Sequence, residues 1–435
     1  MITYSFQITE NIFSMLDKFF LILYIYLTVI VSPFIRLAIK GRIKKGKEHS
    51  VRWREKLGEP SVERPPGKLI WLHAVGLGEV LALRGLIHEL NKQEKNLNFL
   101  VTSSTTLSAK VFEKNRPPKT IHQFLPYDIR MYCKKFLRYW APDLVVWSEQ
   151  DVWPGLSSLV ADFGIKQVLV NGKMRKESYN RRIKIKSLHR IVYKKFTFIS
   201  TQDLSSKIFY QKLGASCVTR VDGSLKPHCP PLVFDEKKLK SIKKKVSYKS
   251  IWVVGSSFPE DEKIAIYTQK LLLEHNIRKL LVLVPRFPNR TQELVETLKD
   301  LNVKVHSKRE TPDVTTDVFV ADSIGELGLW YKASEVALIG GTFSCMEGKN
   351  PWEALHLDCA ITFGPRHAKF KDDFKLLENL NLASQIESSE DLFKVLSRKN
   401  NVPSLQSRRK LKAKLNKDLN ILVKDLLYLL DDKHE

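Results

Sequence analysis

The chain has 435 residues, more than one typical domain needs, and its 43% apolar content is enough for real cores and excludes a disordered polymer. Seventy-two Lys and Arg against 47 Asp and Glu leave a formal charge of +25. That imbalance implies an anionic partner: a nucleic acid, a membrane surface or a phosphorylated substrate.

The N-terminus separates these possibilities. Phe19 to Ile35, "FFLILYIYLTVIVSPFI", carries no charge, and "IFSML" extends the apolar stretch with Asp17 and Lys18 as the interruption. The length is near the lower limit for crossing a bilayer core of roughly 30 Å, and no small-residue cleavage site follows, so an uncleaved spanning anchor is expected over 1–48, with a buried core helix or a helix lying in the interface as the alternatives. The basic run "RLAIKGRIKKGK" behind it places the remainder of the chain on the cytoplasmic side. A hydrophobic N-terminus followed by lysines argues for a membrane surface and against a nucleic acid.

Short apolar runs then alternate with amphipathic ones. "KLIWLHAV", "LNFLVTSS", "IHQFLP", "DLVVWSE", "KQVLVNG", "FTFIS" and "CVTRVD" read as strands separated by helices, which gives a first Rossmann-like domain over 49–224. Residues 225–249, with three prolines and a lysine cluster, have the composition of a linker. Alternation restarts with "SIWVVGSS", "KLLVLVPR", "VKVH", "TDVFVAD", "EVALIGG" and "CAITFG", a second such domain over 250–404. A Lys- and Leu-rich terminal helix is expected over 405–435. The fold class is therefore α/β, two doubly wound domains with ligands beyond the carboxyl ends of their strands and a cleft between them.

The unusual residues fall just after these strands. In the first half, Glu79 sits on the glycine turn "GLGE", where it either meets a ligand or only complements a helix dipole by about 0.3–1 kcal/mol. Glu149 and Asp151 in "SEQDVWP", and Lys173 in "NGKM", form a second polar group. In the second half, Gly340 and Gly341 let backbone N–H groups approach an anion, Ser256 and Thr342 offer hydroxyls, and Arg286 offers a bidentate donor. Asn350 and Pro351 open a helix, inside which Glu353 either accepts ribose hydroxyls or closes a capping box. The segment 181–196, "RRIKIKSLHRIVYKKF", interleaves basic and large apolar residues as a helix lying on anionic lipid does. Five scattered cysteines without a CxxC pair favour a reducing compartment, and the isolated His73, His356 and His367 have no ligand spacing, so no metal and no cofactor are expected.

As an ordered set, the motifs resemble one family, the bacterial 3-deoxy-D-manno-octulosonic acid (KDO) transferases. "WLHAVGLGE" is similar to that family's HxVSxGE, "SEQDVWP" to ETELWP, "VDGSLK" to TGSxK, "LVPRFPNR" to VPRHPER, "DSIGEL" to DTMGEL, "GGTF" to GGS and "GKNPWEA" to GHNPLEA. The resemblance runs from about Val51 to Phe393. It implies a GT-B fold, a CMP-KDO donor, a lipid A precursor (lipid IVA) as acceptor, inversion at the anomeric carbon and no metal. It makes Glu79 the general base, Glu149 and Asp151 acceptor-side residues, and Arg286, Gly340, Gly341, Asn350 and Glu353 donor contacts. It also implies residence at the bacterial inner membrane, among anionic lipids, with no obligate protein partner. Gly76, Phe287 and Lys349 depart from the family's Ser, His and His, and "NGKMR" from its NARxS. Another GT-B enzyme on a nucleotide-activated sugar, such as an epimerase, and a non-catalytic lipid A-binding relative are the alternatives.

Overall fold

The computed structural model describes residues 2–149, 152–247, 249–398 and 404–431 and divides into two compact units. The first comprises the chain up to Cys229 together with the part from Leu415 onward; the second is Pro230–Lys414.

The first unit holds a seven-stranded, all-parallel sheet of β1 (Leu69–His73), β2 (Asn98–Ser103), β3 (Thr120–Phe124), β4 (Leu144–Ser148), β5 (Lys166–Gly172), β6 (Phe198–Thr201) and β7 (Val218–Val221). Its order is β3-β2-β1-β4-β5-β6-β7. The central strands read as unbroken apolar runs because both faces are covered. Alternate side chains divide between two cores, as a period of two requires. Ile70, Leu72, Val101, Val146 and Val168 face one side, and Leu69, Trp71, Leu100, Val145 and Leu169 the other. The last helix, Leu405–Asp431, belongs to the first unit from Leu415, where Leu422, Val423 and Leu426 close the first of these cores.

The second unit repeats the plan with β8 (Ile251–Ser257), β9 (Leu280–Pro285), β10 (Val303–Val305), β11 (Val318–Val320), β12 (Val336–Ile339), β13 (Ala360–Phe363) and β14 (Ala383–Gln385). All are parallel, in the order β10-β11-β9-β8-β12-β13-β14. Within 225–249, the lysine cluster is a helix, Glu236–Lys245. The Asp235 carboxylate caps it by accepting from the Lys237 and Lys238 amides at 2.8 and 3.0 Å, and Leu239 and Ile242 are buried. Helical spacing of two apolar residues among the lysines was enough to fold that stretch onto the unit.

The N-terminal helix runs from Ile2 to Lys44, and its stretch Met15–Lys44 is long and apolar enough to cross a membrane. It packs against the first unit's helices Arg130–Trp140, Pro154–Asp162 and Lys186–Tyr193. The basic segment 181–196 differs from its expected role on lipid. Val192 and Tyr193 are in the core, Ile183 and Ile191 pack against it, and Arg190 pairs with Asp17. Its apolar side chains were needed inside; among them only Ile185 stays more than half exposed.

Candidate functional site

Each sheet changes direction once. Strand order runs outward both ways from β1 and β4 in the first unit; in the second the break lies between β8 and β12, with β11 inserted between β9 and the edge strand β10. In open α/β sheets, ligands bind beyond the carboxyl ends at such a reversal. The connections there are Ala74–Gly76 and the residues after Ser148 in the first unit, and Phe258 and 340–351 in the second.

In the first unit, Gly76 is the N-cap of the helix Leu77–Gln93, with Glu79 as its third residue. The carboxylate turns back, and Oε2 accepts from the amides of Val75 at 3.1 Å and Gly76 at 3.2 Å. This is half of a capping box, in which the acid satisfies otherwise orphaned donors. Oε1 accepts no hydrogen bond from the described residues. A Cβ on Gly76 would lie 3.2 Å from that oxygen, so the glycine keeps its side open.

The neighbouring strand ends carry backbone strain. Glu149 (φ 61°) and Asn171 (φ 55°) are non-glycine residues in the left-handed region, a conformation costing of order 1–2 kcal/mol each. They hold each other in place. Tyr210 donates to the Glu149 carbonyl at 3.0 Å, the Glu149 amide donates to Val170 at 3.0 Å, and Asn171 Nδ2 approaches the Glu149 carboxylate at 3.5 Å. The Asn171 side chain also accepts from the Leu225 amide at 3.0 Å. Glu79, Glu149 and the half-buried Lys173 thus share the carboxyl edge of β1, β4 and β5; Asp151 lies outside the described residues. His73 is fully buried at the end of β1, with Nδ1 on Thr102 Oγ1 at 2.9 Å, and burial lowers its pKa to about 3. It is a neutral packing residue. At the same edge a cavity of about 270 Å³ is lined by Arg42, Lys56, Tyr127 and Trp153 among others. Glu48 binds both cations there, at 2.9 Å from Arg42 and 2.6 Å from Lys56.

The second unit uses its glycines differently from the expectation. The Gly341 amide does meet an anion, but that anion is the protein's own Asp261. This buried carboxylate accepts from the amides of Gly341 (2.6 Å), Phe258 (3.0 Å) and Phe343 (3.1 Å). Burial raises its pKa to about 6 despite these three donors. Gly340 is glycine because a Cβ would collide with the Ser256 carbonyl, and Gly255 because one would collide with the Tyr331 hydroxyl. The Thr342 hydroxyl is likewise buried, donating to the Ile339 carbonyl at 2.7 Å. Ser256 occupies the left-handed region (φ 59°) at the bulge that ends β8.

What faces outward is a set of side chains. Arg286, exposed at the end of β9, lies over the Phe287 ring at 5.8 Å, and Phe287 meets Phe258 edge-on at 5.9 Å. Lys349 Nζ lies 5.0 Å from the centroid of Phe258, so the two departures from the family motifs in this unit, 287 and 349, meet at one ring. Burial lowers the Lys349 pKa, as do the nearby charges of Arg286 and Lys369. Arg286, Lys349 and Lys369 thus concentrate positive charge beside the Phe258 and Phe287 rings, which favours an anion there. Behind them, Asn350 accepts from the Trp352 amide at 3.2 Å and donates to Glu353 at 3.4 Å. Burial raises the Glu353 carboxyl to about 7, against the opposing pull of Asn350 and Lys349. The helix begins at Trp352 with Pro351 as its N-cap, one residue later than expected, and it is the Asn350 side chain that accepts from its first amide. Phe258, Asp261 and Lys369 were not singled out from the sequence. For Asp261 the signal exists: "FPEDE" places a proline first and an acid third in a helix, which is a capping pattern. No three His, Cys, Asp or Glu side chains gather as a metal would need among the described residues.

Two seven-stranded parallel α/β units of this kind define the GT-B class. Two solved structures share the fold at 12% identity. One is a UDP-GlcNAc 2-epimerase from Neisseria meningitidis, with a TM-score of 0.53 over 83% of this chain and 100% of that one. The other is a glycosyltransferase from Rickettsia africae, with a TM-score of 0.51 over 85% and 100%. Residues 51–228 match the family model described as 3-deoxy-D-manno-octulosonic-acid transferase (kdotransferase). A 3-deoxy-D-manno-octulosonic acid transferase of Rickettsia bellii is 31% identical over 376 residues, 86% of this chain and 89% of the relative. The chain belongs to the 3-deoxy-D-manno-octulosonic acid transferase family.

Proposed function

We propose that the protein transfers KDO from CMP-KDO to the lipid A precursor lipid IVA, with inversion and with Glu79 as the general base. The acceptor hydroxyl attacks the anomeric carbon while its proton passes to Glu79. The bond from that carbon to the phosphate oxygen breaks, and its electron pair leaves with CMP. Glu79 carries this reading: two backbone amides fix one carboxylate oxygen, and the other accepts from no described residue. A hydroxyl is a poor nucleophile until its proton is removed in the transition state, and a positioned base contributes about 10²–10⁴ in rate.

The leaving phosphate gains charge as the bond breaks, and the cluster of Arg286, Lys349 and Lys369 is suited to receive it. Asn350 and Glu353 then serve the nucleotide or sugar as donor contacts, with Ser256, Gly340, Gly341 and Thr342 shaping the loops that carry them. Glu149, with Asp151 and Lys173, serves the acceptor. The apolar N-terminal helix and the overall charge of +25 fit an anionic lipid substrate at the cytoplasmic face of an inner membrane.

Purified protein, CMP-KDO and tetraacyl precursor are expected to yield a KDO-bearing lipid detectable by mass spectrometry. Glu79→Gln should lower turnover by about 10²–10⁴ while lipid binding persists. Product formation undiminished in that variant would remove Glu79 from the chemistry. Absence of product from the unaltered protein would remove the substrate pair.

A further inference from the structure

We infer that the N-terminal helix does not pass through the bilayer: it lies along the first unit and meets lipid only with its outward side. The sequence alone favours a span and leaves a helix in the interface as an alternative. The structure adds what the other side of the helix touches.

From Asp17 to Ile43 the buried and half-buried positions are 17, 21, 24, 25, 28, 32, 35, 39 and 43, a stripe at intervals of three and four residues. This is one face of a helix, continued for 26 residues or about 39 Å of rise. Polar ties hold the early part. Asp17, 3% exposed, accepts from Arg190 Nε at 2.7 Å and from its terminal nitrogen at 2.6 Å. A planar pair of this kind fixes direction as well as distance. Further along, the Tyr24 hydroxyl donates to Asp128 at 2.8 Å, and Asp128 also accepts from the Gly155 amide at 2.9 Å. The late part is held by packing: Ile35, Ile39 and Ile43 join Trp53, Leu57, Ile129 and Tyr132 in one apolar cluster.

A helix bound along this length cannot stand upright in a bilayer without taking its partners with it. The elements it packs against expose Arg130, Lys135, Arg138 and Lys186, charges that hydrocarbon does not accept cheaply. The opposite side has the reverse character. Phe19, Tyr26, Leu27, Ile30, Phe34 and Leu37 are 53–67% exposed, and no charge occurs between Phe19 and Ile35. Lys18 stands at one end of this surface and Arg36, Lys40 and Lys44 at the other, where phospholipid headgroups would meet them. An apolar strip bounded by cations is the pattern of an interfacial helix. The occupant is thus a bilayer leaflet, entered from one side. Asp17, which looks like a flaw in a spanning segment, is the residue that keeps it docked.

The inference rests on the membrane association proposed above and is independent of the transfer reaction. The full chain, carrying an epitope tag before Met1 and another after Glu435, is expressed in a Gram-negative host. Both tags are expected to resist protease in intact spheroplasts and to be cut in inside-out vesicles. In vesicles of phosphatidylethanolamine and phosphatidylglycerol with a photoactivatable lipid, adducts are expected on Phe19, Tyr26, Ile30 and Phe34, and none on Leu21, Tyr24 or Ile39. An N-terminal tag cut in spheroplasts overturns the inference, since a single span puts it outside. Adducts all around the helix, or none anywhere, overturn it equally. Flotation of the same vesicles keeps the cases apart, because a chain that fails to float refutes membrane association itself.

Discussion

The two sheets reverse their order at equivalent points, β1/β4 and β8/β12, but the loops at these points are built on opposite plans. In the first unit an acid binds backbone amides at a surface position and keeps one oxygen open. In the second an acid binds backbone amides in the interior, and its whole capacity goes to holding the glycine loop together. Glycines that look alike in sequence therefore do different work. Gly76 leaves room beside a carboxylate, whereas Gly340 and Gly255 permit close packing of the chain on itself. With the Gly341 and Phe343 amides taken by Asp261, the charges near an external anion at the second point are Arg286, Lys349 and Lys369.

The sharpest way to break this contrast is at Asp261. Asp261→Ala leaves two buried amides and one half-buried amide without an acceptor, and the second unit should lose about 3–5 kcal/mol of stability, read by denaturant unfolding. Asp261→Asn, which retains one acceptor oxygen, should lose less. If both changes are harmless, the loop is held by something other than this carboxylate. The corresponding change in the first unit, Glu79→Gln, should scarcely alter stability.

Glu353 gives the next effect. Its carboxyl titrates at about 7 in the folded protein against an ordinary 4.5. A raised pKa in an acid means that its contribution is most favourable below pH 4.5 and is lost as pH rises to 7. Glu353→Gln removes that loss. Relative to the unaltered protein, the variant should gain about 1–3 kcal/mol between pH 5 and pH 8, seen as a growing difference in melting temperature. A difference that stays constant with pH would mean that burial does not perturb this group. A smaller effect is expected at the exposed cation: Arg286→Ala should weaken CMP binding by about tenfold in calorimetry, and more at low salt.

Much of the fold was legible because both sheets are covered on each face, so most of their strands appear as unmistakable apolar runs. β14 was missed because Ala383–Gln385 is short and two of its three residues are exposed. The helix Glu236–Lys245 was hidden by its lysines, whose charges outnumber the two residues that fix its position. The candidate site was legible in part: Arg286 directly follows β9 and Glu79 lies just beyond β1, whereas Asn350 and Glu353 stand at the far end of the long loop after β12. What could not be read was the use of each donor. Whether a glycine amide faces a ligand or a distant Asp is a tertiary fact, 80 residues apart in this chain. The same limit applied to Arg190, whose partner Asp17 lies 173 residues away.

The smallest effect tests the open side of Glu79. Gly76→Ser adds an N-cap hydroxyl able to accept from the third-residue amide, completing the capping box that Glu79 half makes. By itself that is worth a few tenths of a kcal/mol, or about 1 °C in melting temperature. The backbone at 76 (φ −85°, ψ 160°) accepts any side chain, so no strain opposes the change. Opposition comes from the carboxylate, because the new Cβ would stand 3.2 Å from Oε1 and must displace it by a few tenths of an ångström. If the Glu79 carboxylate tolerates that shift, the variant melts slightly higher and turnover stays within about threefold. A lower melting temperature would show that Oε1 cannot yield. A large loss of turnover with a raised melting temperature would show that its position, and not only its charge, is what the reaction needs.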